Sequence, residues 1–455
     1  MILPYRITQL PWQADPLPGL LAIRDMGHPV LLDSAASNDP RGRYSILSAD
    51  PALVINAEDG ERGLSTIERL RTALKALGPA SWPEQLQLPF GAGALGFISY
   101  DFGRALERIP EQANPDIQLP ALQMGIYHWS LISDNTMQRR WLVCHPAVDI
   151  EYQRQLLERL HPAEPNDRPV VQSGRFALKQ PFAAERSKSE YLQSFERIQH
   201  YIRAGDCYQV NLAQRFSAAC QGDPLTAYQQ LRQSCPTPFA AYLESAGHAI
   251  LSLSPERFLK VEDRQVETRP IKGTRPRGVT ADQDRALADE LRHSPKDRAE
   301  NLMIVDLLRN DLGRACTFGS VRVPELFSIE SYPNVHHLVS SITGTLAEDQ
   351  DALSLLAGAF PGGSITGAPK IRAMQIIEEL EPVRRSLYCG SIGYIGCEGQ
   401  MDLNIAIRSL VHQNDHLYCW GGGGIVADSD GDEEYQESLT KVRVLMESLG
   451  QRPAQ

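Results

Sequence analysis

A short polar turn between two strand-like runs is the feature that most constrains this chain. Residues 258–261 and 266–271 have the apolar and β-branched content of strands, and the polar residues 262–265 separate them. If that turn closes an antiparallel hairpin, residues whose numbers sum to about 527 lie opposite each other. Glu256 and Lys272 are therefore expected to reach the same end of the hairpin, within roughly a residue of register.

That end of the hairpin could hold an acid beside a nucleophile. A lysine amine has an ordinary pKa of about 10.4 and is a weak nucleophile while protonated, so its surroundings would have to lower that pKa. Pro270 and Gly273, on either side of Lys272, favour a bent backbone with room for a ligand. From these residues alone, an ordinary ion pair at the base of the hairpin explains the pattern equally well.

Composition narrows the class of protein. The chain has 455 residues and is 42% hydrophobic, which is enough for two domains or one large composite domain. A net charge of −11 without a block of lysine and arginine argues against nucleic-acid binding. No signal sequence or bilayer-length apolar run is present, so neither secretion nor membrane insertion is expected. Eight single cysteines fit reduced thiols in a cytoplasmic protein.

A proline-rich polar stretch that begins at His161 divides the chain. We place a linker at 161–186, between an N-terminal region, 1–160, and a second region, 187–450. The second region opens with a helix, because Ser187 starts a capping box before an apolar stripe. Helices that interleave with strand-like runs indicate the α/β or α+β class.

Two strand-like runs carry polar side chains that could line a pocket. In one run Gln209 and Asn211 share a polar face, which meets either solvent or a pocket. In a later run the neighbours His336 and His337 face opposite sides, so at most one of them can serve a pocket. A histidine that only satisfies its own hydrogen bonds is the commoner outcome.

Acidic side chains on two predicted helices could bind a metal. One helix begins with Ser294 as its N-cap and carries Glu300 beside an apolar run. Glu434 and Glu437 are three residues apart on the final helix and therefore share a face. Magnesium takes one or two carboxylates with waters and substrate oxygens, so Glu300 and Glu437 would suffice if the helices converge. Alone, these acids are more often surface charges, and Glu437 could simply pair with Lys441.

Two glycine-rich segments and one arginine are candidate anion-binding groups. Residues 362–370 lack the spacing and the hydroxyl of a nucleotide-binding loop, but they can present backbone amides at the start of a helix. The glycines at 421–424 allow a ligand to approach the backbone closely. Strand-like alternation through 403–408 places Arg408 away from the core, where it could clamp a carboxylate or point to water.

The order and spacing of these segments resemble the chorismate-utilising enzymes of the anthranilate synthase component I type, over nearly the whole chain. The motifs that carry the resemblance are SPERF at 254–258, RPIKGT at 269–274, DRAENLMIVDLLRND at 297–311, GGSITGAPK at 362–370, IRSL at 407–410, GGGGIVADS at 421–429 and YQES at 435–438. The resemblance implies an α/β (α+β) sandwich of two β-sheets flanked by helices. It also implies that N- and C-terminal parts pack together, so the linker would separate sequence regions rather than independent bodies.

Lys272 points to one branch of this family. Anthranilate synthases have alanine in PIAGT, whereas PIKGT is similar to the branch that makes 4-amino-4-deoxychorismate, the precursor of p-aminobenzoate and folate. The resemblance implies that Lys272 attacks ring carbon 2 of chorismate as the hydroxyl leaves carbon 4, helped by magnesium and by Glu256 as general acid. Ammonia would then add at carbon 4 and expel the lysine.

The resemblance also implies binding roles. Magnesium would be held by Glu300 and Glu437, with Glu434 nearby or as an alternate ligand. Chorismate and its carboxylates would be held by Gly273, Thr274, His337, Tyr394, Arg408, Gly422, Gly423 and Gly424. A weaker resemblance implies a tryptophan pocket, regulatory in anthranilate synthases, at Ser34, Arg41, Gly42, Arg43, Tyr44, Pro238, Phe239 and Ala240. Because the family often has a longer glutamate where this chain has Asp33, tryptophan could be bound, structural or absent.

The proposed reaction needs a source of ammonia, and the sequence also has to be weighed against other members of the family. The sequence shows no glutaminase segment with a nucleophilic cysteine, so a separate glutamine amidotransferase subunit is the expected partner. The nearest alternative is anthranilate synthase component I, which Lys272 disfavours. A relative that adds water to make isochorismate or salicylate would be expected to carry a lysine at the strand position where this chain has Gln209. A catalytically silent anion-binding subunit would not be expected to keep both Glu256 and Lys272.

Overall fold

The computed structural model describes residues 2–36, 39–58, 60–83, 85–161, 175–332 and 335–450. Within these residues the helices are Leu17–Ile23 (α1), Gly63–Leu77 (α2), Gly103–Leu106 (α3), Ile150–Leu160 (α4), Lys188–Ala204 (α5), Pro224–Ser234 (α6), Ala281–His293 (α7), Pro295–Gly313 (α8), Ala352–Ala359 (α9), Lys370–Leu380 (α10) and Gly431–Gly450 (α11). A 3₁₀ turn at Gly363–Ile365 precedes α10.

The strands in the same residues are Arg6–Leu10 (β1), Val30–Asp33 (β2), Tyr44–Ser48 (β3), Leu53–Asn56 (β4), Gly93–Ile98 (β5), Leu122–Tyr127 (β6), Trp129–Asp134 (β7), Arg139–Cys144 (β8), Phe176–Leu178 (β9), Ala183–Ala184 (β10), Gln209–Gly222 (β11), Phe239–Ser245 (β12), His248–Ser254 (β13), Arg257–Glu262 (β14), Gln265–Thr268 (β15), Ile271–Pro276 (β16), Arg322–Ser331 (β17), Val335–Thr345 (β18), Gly367–Ala368 (β19), Ser391–Gly396 (β20), Met401–Asn404 (β21), Ser409–Gln413 (β22) and His416–Ile425 (β23). No helix in the described part of the chain is long and apolar enough to cross a membrane.

Two antiparallel sheets organise these strands. The first has the order β1-β8-β7-β3-β2-β12-β13-β22-β23-β11-β10, and β9 and β19 also pair with β11. The second has the order β16-β18-β15-β14-β21-β20-β5-β6-β4, and β17 also pairs with β18. Helices flank both sheets. The predicted α/β (α+β) sandwich of two sheets flanked by helices is therefore confirmed.

Both sheets combine strands from before and after the predicted linker. In the first sheet β2 pairs with β12, and in the second β5 pairs with β20. Residues 162–174 of the linker lie outside the described residues. Its last residues are not a free connection, since they form β9 and β10 against β11. The regions 1–160 and 187–450 therefore share their sheets.

The main core lies between the two sheets. Ile250 of β13 and Leu95 of β5 belong to one cluster of buried side chains, whereas Leu251, next along β13, belongs to another. Successive side chains of a strand point to opposite faces, so the second cluster lies on the outer face of the first sheet. There it includes Leu231 of α6 and Leu445 of α11. Each such side chain contributes about 1.5–3 kcal/mol on burial, so α11 is fixed to this sheet.

The hairpin predicted from the sequence is present in the predicted register, but its second strand ends at Thr268, and Ile271 begins β16 beside β18. β14 and β15 pair with Val261 opposite Val266. Asp263 and Arg264 make the turn with φ of 48° and 62°. Two consecutive residues in this left-handed region fit the type I′ turn that matches the twist of an antiparallel pair. Glu256 therefore lies immediately before the first strand of a rigid hairpin.

Two predicted helix starts are also confirmed. Ser187 caps α5 in a complete capping box with Glu190, and Gly205 ends the helix at φ 81°. Ser294 caps α8 by accepting a hydrogen bond from the backbone N–H of Asp297. Because a capped N-terminus fixes the helix register, α8 carries Glu300 at a defined position in its second turn.

The segment 403–408 is not one strand, contrary to the prediction. β21 ends at Asn404 in the second sheet and β22 begins at Ser409 in the first, so the residues between them cross from one sheet to the other. Arg408 has φ 50°, which is uncommon for a residue with a Cβ. The alternation in sequence correctly indicated that Ile405 is buried, but it could not show that the strand breaks.

Candidate active site

Glu256 and Lys272 are brought to one site by the second sheet. Glu256 precedes β14, and its side chain is 7% exposed. Lys272 lies in β16, and its Nζ donates a hydrogen bond to the backbone carbonyl of Ser364 at 3.2 Å. Within the described residues Glu256 and Lys272 interact electrostatically without forming a direct ion pair. The plain ion pair that the hairpin alone suggested is thus not what the structure shows.

A β-bulge aims Lys272 into the site. The pairing of β16 with β18 shifts register between Ile271 and Thr274, which leaves Lys272 and Gly273 in the irregular stretch. Gly273 has φ 80°, and a Cβ added there would lie 2.7 Å from Oδ1 of Asp297. Any other residue would be strained and would press against the first turn of α8. Bulges of this kind re-aim side chains beside active sites.

Burial shifts the pKa of Glu256 and the pKa of Lys272 toward the uncharged form of each group. It raises the pKa of Glu256 from 4.5 to about 7, against the opposing effect of the Lys272 charge. It lowers the pKa of Lys272, although Glu300 and Glu256 favour the charged amine. The neutral acid and the free amine are therefore both more populated than in water. That state offers a proton donor and a nucleophile together.

Two acids from two helices lie near Lys272, and a third acid lies beside one of them. Glu300 of α8 and Glu437 of α11 interact electrostatically with each other and with Lys272. Burial raises the pKa of Glu300, and burial also raises the pKa of Glu434, the next acid on α11. Burial works in the same direction on Glu437, but Lys441, whose Nζ lies 2.6 Å from Oε1, lowers the pKa of that carboxyl below its usual value.

The carboxylate oxygens fit a hard cation. A Cβ added to Gly423 would lie 2.8 Å from Oε2 of Glu434 and 3.4 Å from Oε1 of Glu437, so both carboxylates face this glycine. Magnesium takes one or two carboxylates and completes its shell with waters and substrate oxygens. Among the described residues no three His, Cys, Asp or Glu side chains are already gathered as a metal site. Glu300 and Glu437 supply carboxylate oxygens of the kind that such a cation prefers.

The glycine run of β23 forms one wall of the site. Lys441 donates to the carbonyl of Gly422 at 2.8 Å, and a Cβ on Gly424 would lie 2.7 Å from Nε2 of Gln209. Gln209 is fully buried. In the described part of the structure neither atom of its amide has a hydrogen-bond partner. The polar face of β11 is thus turned inward, and the glycines leave room for a ligand against the backbone.

Thr274, His337 and Arg408 make a second polar group at the site. Oγ1 of Thr274 and Nδ1 of His337 share a hydrogen bond of 2.9 Å. Burial, together with the smaller effect of the Arg408 charge, lowers the pKa of His337 to about 4, so the ring is neutral near pH 7. His336 points to the other side, where its Nε2 lies 2.9 Å from Oδ1 of Asp284. The two histidines thus face opposite ways, as their adjacency in a strand predicts.

Tyr394 is not brought to this site. It lines a separate cavity of about 960 Å³, together with Trp82 and Asp402. Tyr388, which no motif in the sequence singles out, is buried and stacks on Trp420, immediately before the glycine run, with ring centroids 6.1 Å apart. Tyr388 and Tyr394 are only six residues apart in the sequence. Only the folded structure shows that Tyr388 is the one that packs next to the glycine run.

That cavity contains the residues of the predicted tryptophan pocket. The predicted residues that line it are Ser34, Arg41, Arg43, Tyr44, Pro238, Phe239 and Ala240. Gly42 lies against this group, since a Cβ there would be 3.4 Å from Cβ of Ser34 and 3.5 Å from Cα of Pro238. Asp33 is buried and pairs with Arg232, so the shorter side chain has a partner.

Ser364 and Lys296 also belong to the site, although the sequence analysis assigned them no role. The backbone carbonyl of Ser364 accepts the hydrogen bond of Lys272, and its side chain lies close enough to Glu256 to lower the pKa of that carboxyl. Lys296, in the first turn of α8, lies close enough to lower the pKa of Glu300. The sequence points to Ser364 only because this residue lies within the GGSITGAPK motif. Nothing in the sequence points to Lys296, because its contact with the site depends on how α8 meets α11.

This chain is similar to known proteins over nearly its whole length. A family model described as chorismate binding enzyme matches residues 28–447. Aminodeoxychorismate synthase component 1 of Salmonella typhimurium is 43% identical over 97% of this chain and 98% of its own length. The protein of the same name from Klebsiella aerogenes is 44% identical over 99% and 100%. The crystal structure of anthranilate synthase component I from Streptococcus pneumoniae superposes with a TM-score of 0.78 at 32% identity, over 89% of this chain and 92% of that one.

The raised pKa of Glu256 predicts a pH-dependent stability. Between pH 4.5 and about 7 the folded protein holds a proton at Glu256 that the unfolded chain releases, so stability falls as pH rises through this interval. At about 1.36 kcal/mol per pH unit the loss in free energy of unfolding is about 3 kcal/mol. Glutamine at position 256 cannot titrate. When the free energy of unfolding is measured in urea at both ends of this interval, its decrease should therefore be about 3 kcal/mol smaller in Glu256→Gln than in the parent protein.

The control for this comparison is Glu196→Gln, at an exposed position of α5. It should keep the pH dependence of the parent protein. If Glu256→Gln also kept that dependence, the carboxyl of Glu256 would not titrate in this range, and the proton donor would have to be sought elsewhere.

Proposed function

The chain belongs to the chorismate binding enzyme family, and we propose that it converts chorismate and ammonia to 4-amino-4-deoxychorismate. The observation that carries the proposal is Lys272, a largely enclosed amine beside a buried acid. The 43% and 44% identity to proteins named aminodeoxychorismate synthase component 1, against 36% to proteins named anthranilate synthase component 1, supports the same choice.

In the first step Lys272 is the nucleophile and Glu256 the acid. The free amine forms a bond to ring carbon 2 as the bond from carbon 4 to its hydroxyl breaks. Both ring double bonds shift, from carbons 1–2 and 5–6 to carbons 1–6 and 4–5. Glu256 gives its proton to the departing hydroxyl, which leaves as water. The alkylated amine then carries one proton too many, and the Glu256 carboxylate can take it back. Burial prepares both groups, because it favours their uncharged forms.

In the second step ammonia replaces the lysine. It forms a bond to carbon 4, the bond from carbon 2 to Nζ breaks, and both double bonds return to their first positions. Glu256 donates the proton that Lys272 needs in order to leave as an amine, and the excess proton on the new amino group restores the acid. The net change is chorismate plus ammonia to 4-amino-4-deoxychorismate plus water, with Lys272 and Glu256 regenerated.

The remaining residues of the site suit a substrate with two carboxylates. Arg408 and Thr274 can donate to one of them, while the glycine run lets the other approach the backbone of β23. Glu300 and Glu437 would hold magnesium, which when bound would neutralise carboxylate charge and polarise the leaving oxygen. Neutral His337 can contact the ring without adding charge.

We expect the ammonia to come from a second subunit. The relatives named component 1 support this expectation, since that name implies another component. A glutamine amidotransferase is the partner whose product this site requires. The proposed assembly is therefore a heterodimer in which ammonia passes from the partner to carbon 4.

The product test is direct. Purified protein with chorismate, magnesium and ammonium should form 4-amino-4-deoxychorismate, identified by mass spectrometry against a standard. Glutamine should replace ammonium only when an amidotransferase subunit is added, and a chelator should stop the reaction. Anthranilate as the main product would make this chain an anthranilate synthase component I, and isochorismate would mean that water is the nucleophile.

We also propose that the cavity of about 960 Å³ binds tryptophan. Arg41 can meet the carboxylate, while Pro238 and Phe239 offer apolar surface to the indole ring. The Arg41 guanidinium also lies 4.8 Å from the ring centre of Tyr332, which is 5.5 Å from that of His337. A ligand in the cavity would thus lie two side chains away from the active site.

Tryptophan binding should appear as a rise in melting temperature that grows with ligand concentration, and as heat in calorimetric titration. Ser34→Leu, which removes a hydroxyl that donates to the carbonyl of Tyr44 and fills part of the cavity, should abolish both. Ser189→Ala, at an exposed position of α5, should bind as the parent does. If the parent protein shows neither a higher melting temperature nor binding heat in millimolar tryptophan, the proposal that the cavity binds tryptophan is wrong.

A further inference from the structure

Ser364 touches both reactive groups of the proposed site. Its backbone carbonyl accepts a hydrogen bond from Nζ of Lys272 at 3.2 Å. Its side chain lies close enough to the carboxyl of Glu256 to lower the pKa of that carboxyl. Ser364 is 6% exposed, so water does not compete freely for either contact. One residue thus links the acid of the hairpin to the amine of β16.

The turn that carries Ser364 is held on both sides. Nη1 of Arg385 donates to the carbonyl of Ile365 at 3.0 Å, and the backbone N–H of Asn211 donates to the carbonyl of Thr366 at 2.8 Å. Arg385 is 1% exposed and also donates to the carbonyl of Asn211 at 2.7 Å and to Glu381. These contacts tie the turn to β11, so Ser364 is presented in one position.

We propose that Ser364 is a positioning residue that fixes where Glu256 keeps its proton and where the lone pair of Lys272 points. The inference rests on the proposed function. A neutral carboxyl has one oxygen that donates and one that only accepts. A serine hydroxyl that donates to one oxygen leaves the proton on the other. Likewise, an amine that donates N–H to the Ser364 carbonyl directs its lone pair elsewhere, into the pocket.

Other groups also face Glu256 and set its protonation. Lys272 of β16 and Lys441 of α11 favour the carboxylate by their charge, and the backbone N–H of Ile271 does so by hydrogen bonding. The thiol of Cys389 lies near enough to interact with it. The Ser364 hydroxyl is an uncharged donor that also favours the carboxylate, so its removal should make Glu256 harder to ionise.

Two substitutions of Ser364 that are nearly equal in size to each other separate the effect of the hydroxyl from the effect of side-chain volume. Ser364→Thr keeps the hydroxyl and Ser364→Val does not, while both keep the backbone carbonyl. The measurement is chorismate consumption against pH, because the limb of kcat/KM on the alkaline side reports the ionisation of the essential acid. Ser364→Val should lower kcat about tenfold or more and move that limb upward by about one pH unit, with little change in KM for chorismate. Ser364→Thr should keep the limb and stay within about threefold of the parent's kcat.

The outcomes separate positioning from a structural role. Loss of activity in both variants with an unmoved limb would mean that Ser364 only fills space, and an unchanged Ser364→Val would also overturn the inference. If the valine variant does not fold, as judged by circular dichroism, Ser364→Ala removes the same hydroxyl without added bulk and carries the same expectation. Chorismate consumption tests Ser364 whatever the product is, whereas product identity tests the proposed function, so the two can fail separately.

Discussion

The balance between burial and mutual attraction at Glu256 and Lys272 is the interaction on which the rest of this account depends. Opposite charges this close would ordinarily form an ion pair, in which the carboxylate cannot donate a proton and the ammonium cannot attack. Burial opposes both charges, and here it moves the pKa of each group toward the uncharged form. An enzyme that needs a free amine and a protonated acid at once gains both from one physical cause.

The fold supplies that burial by bringing distant segments against the pair. The hairpin presents Glu256, the bulge of β16 turns Lys272 inward, and α8 and α11 close the site with acids. Beneath it, buried Arg385 joins the turn of Ser364 to β11. A buried arginine is costly unless its donors are satisfied, and here Glu381 and two carbonyls satisfy them. The polar network thus specifies one geometry for the reactive groups.

The sequence predicted what depends on local physics. Turn chemistry gave the register of the hairpin, and capping residues gave the starts of α5 and α8. It could not show that 403–408 crosses between sheets, because alternation reports burial and not which sheet a strand joins. Nor could it separate Tyr388 from Tyr394, or reveal the contacts of Ser364. Those facts depend on which distant segments meet, and periodicity in one chain does not encode that.

The central claim is that the amine of Lys272 bonds to chorismate, and a mass measurement tests it most directly. With chorismate and magnesium but no ammonia, the second step cannot occur, so the protein should gain the mass of chorismate less one water. Proteolysis should place that mass on the peptide that contains Lys272, and Lys272→Ala, mixed in the same way, should show none. An adduct that persists in Lys272→Ala, or a parent protein that forms none, would contradict the account.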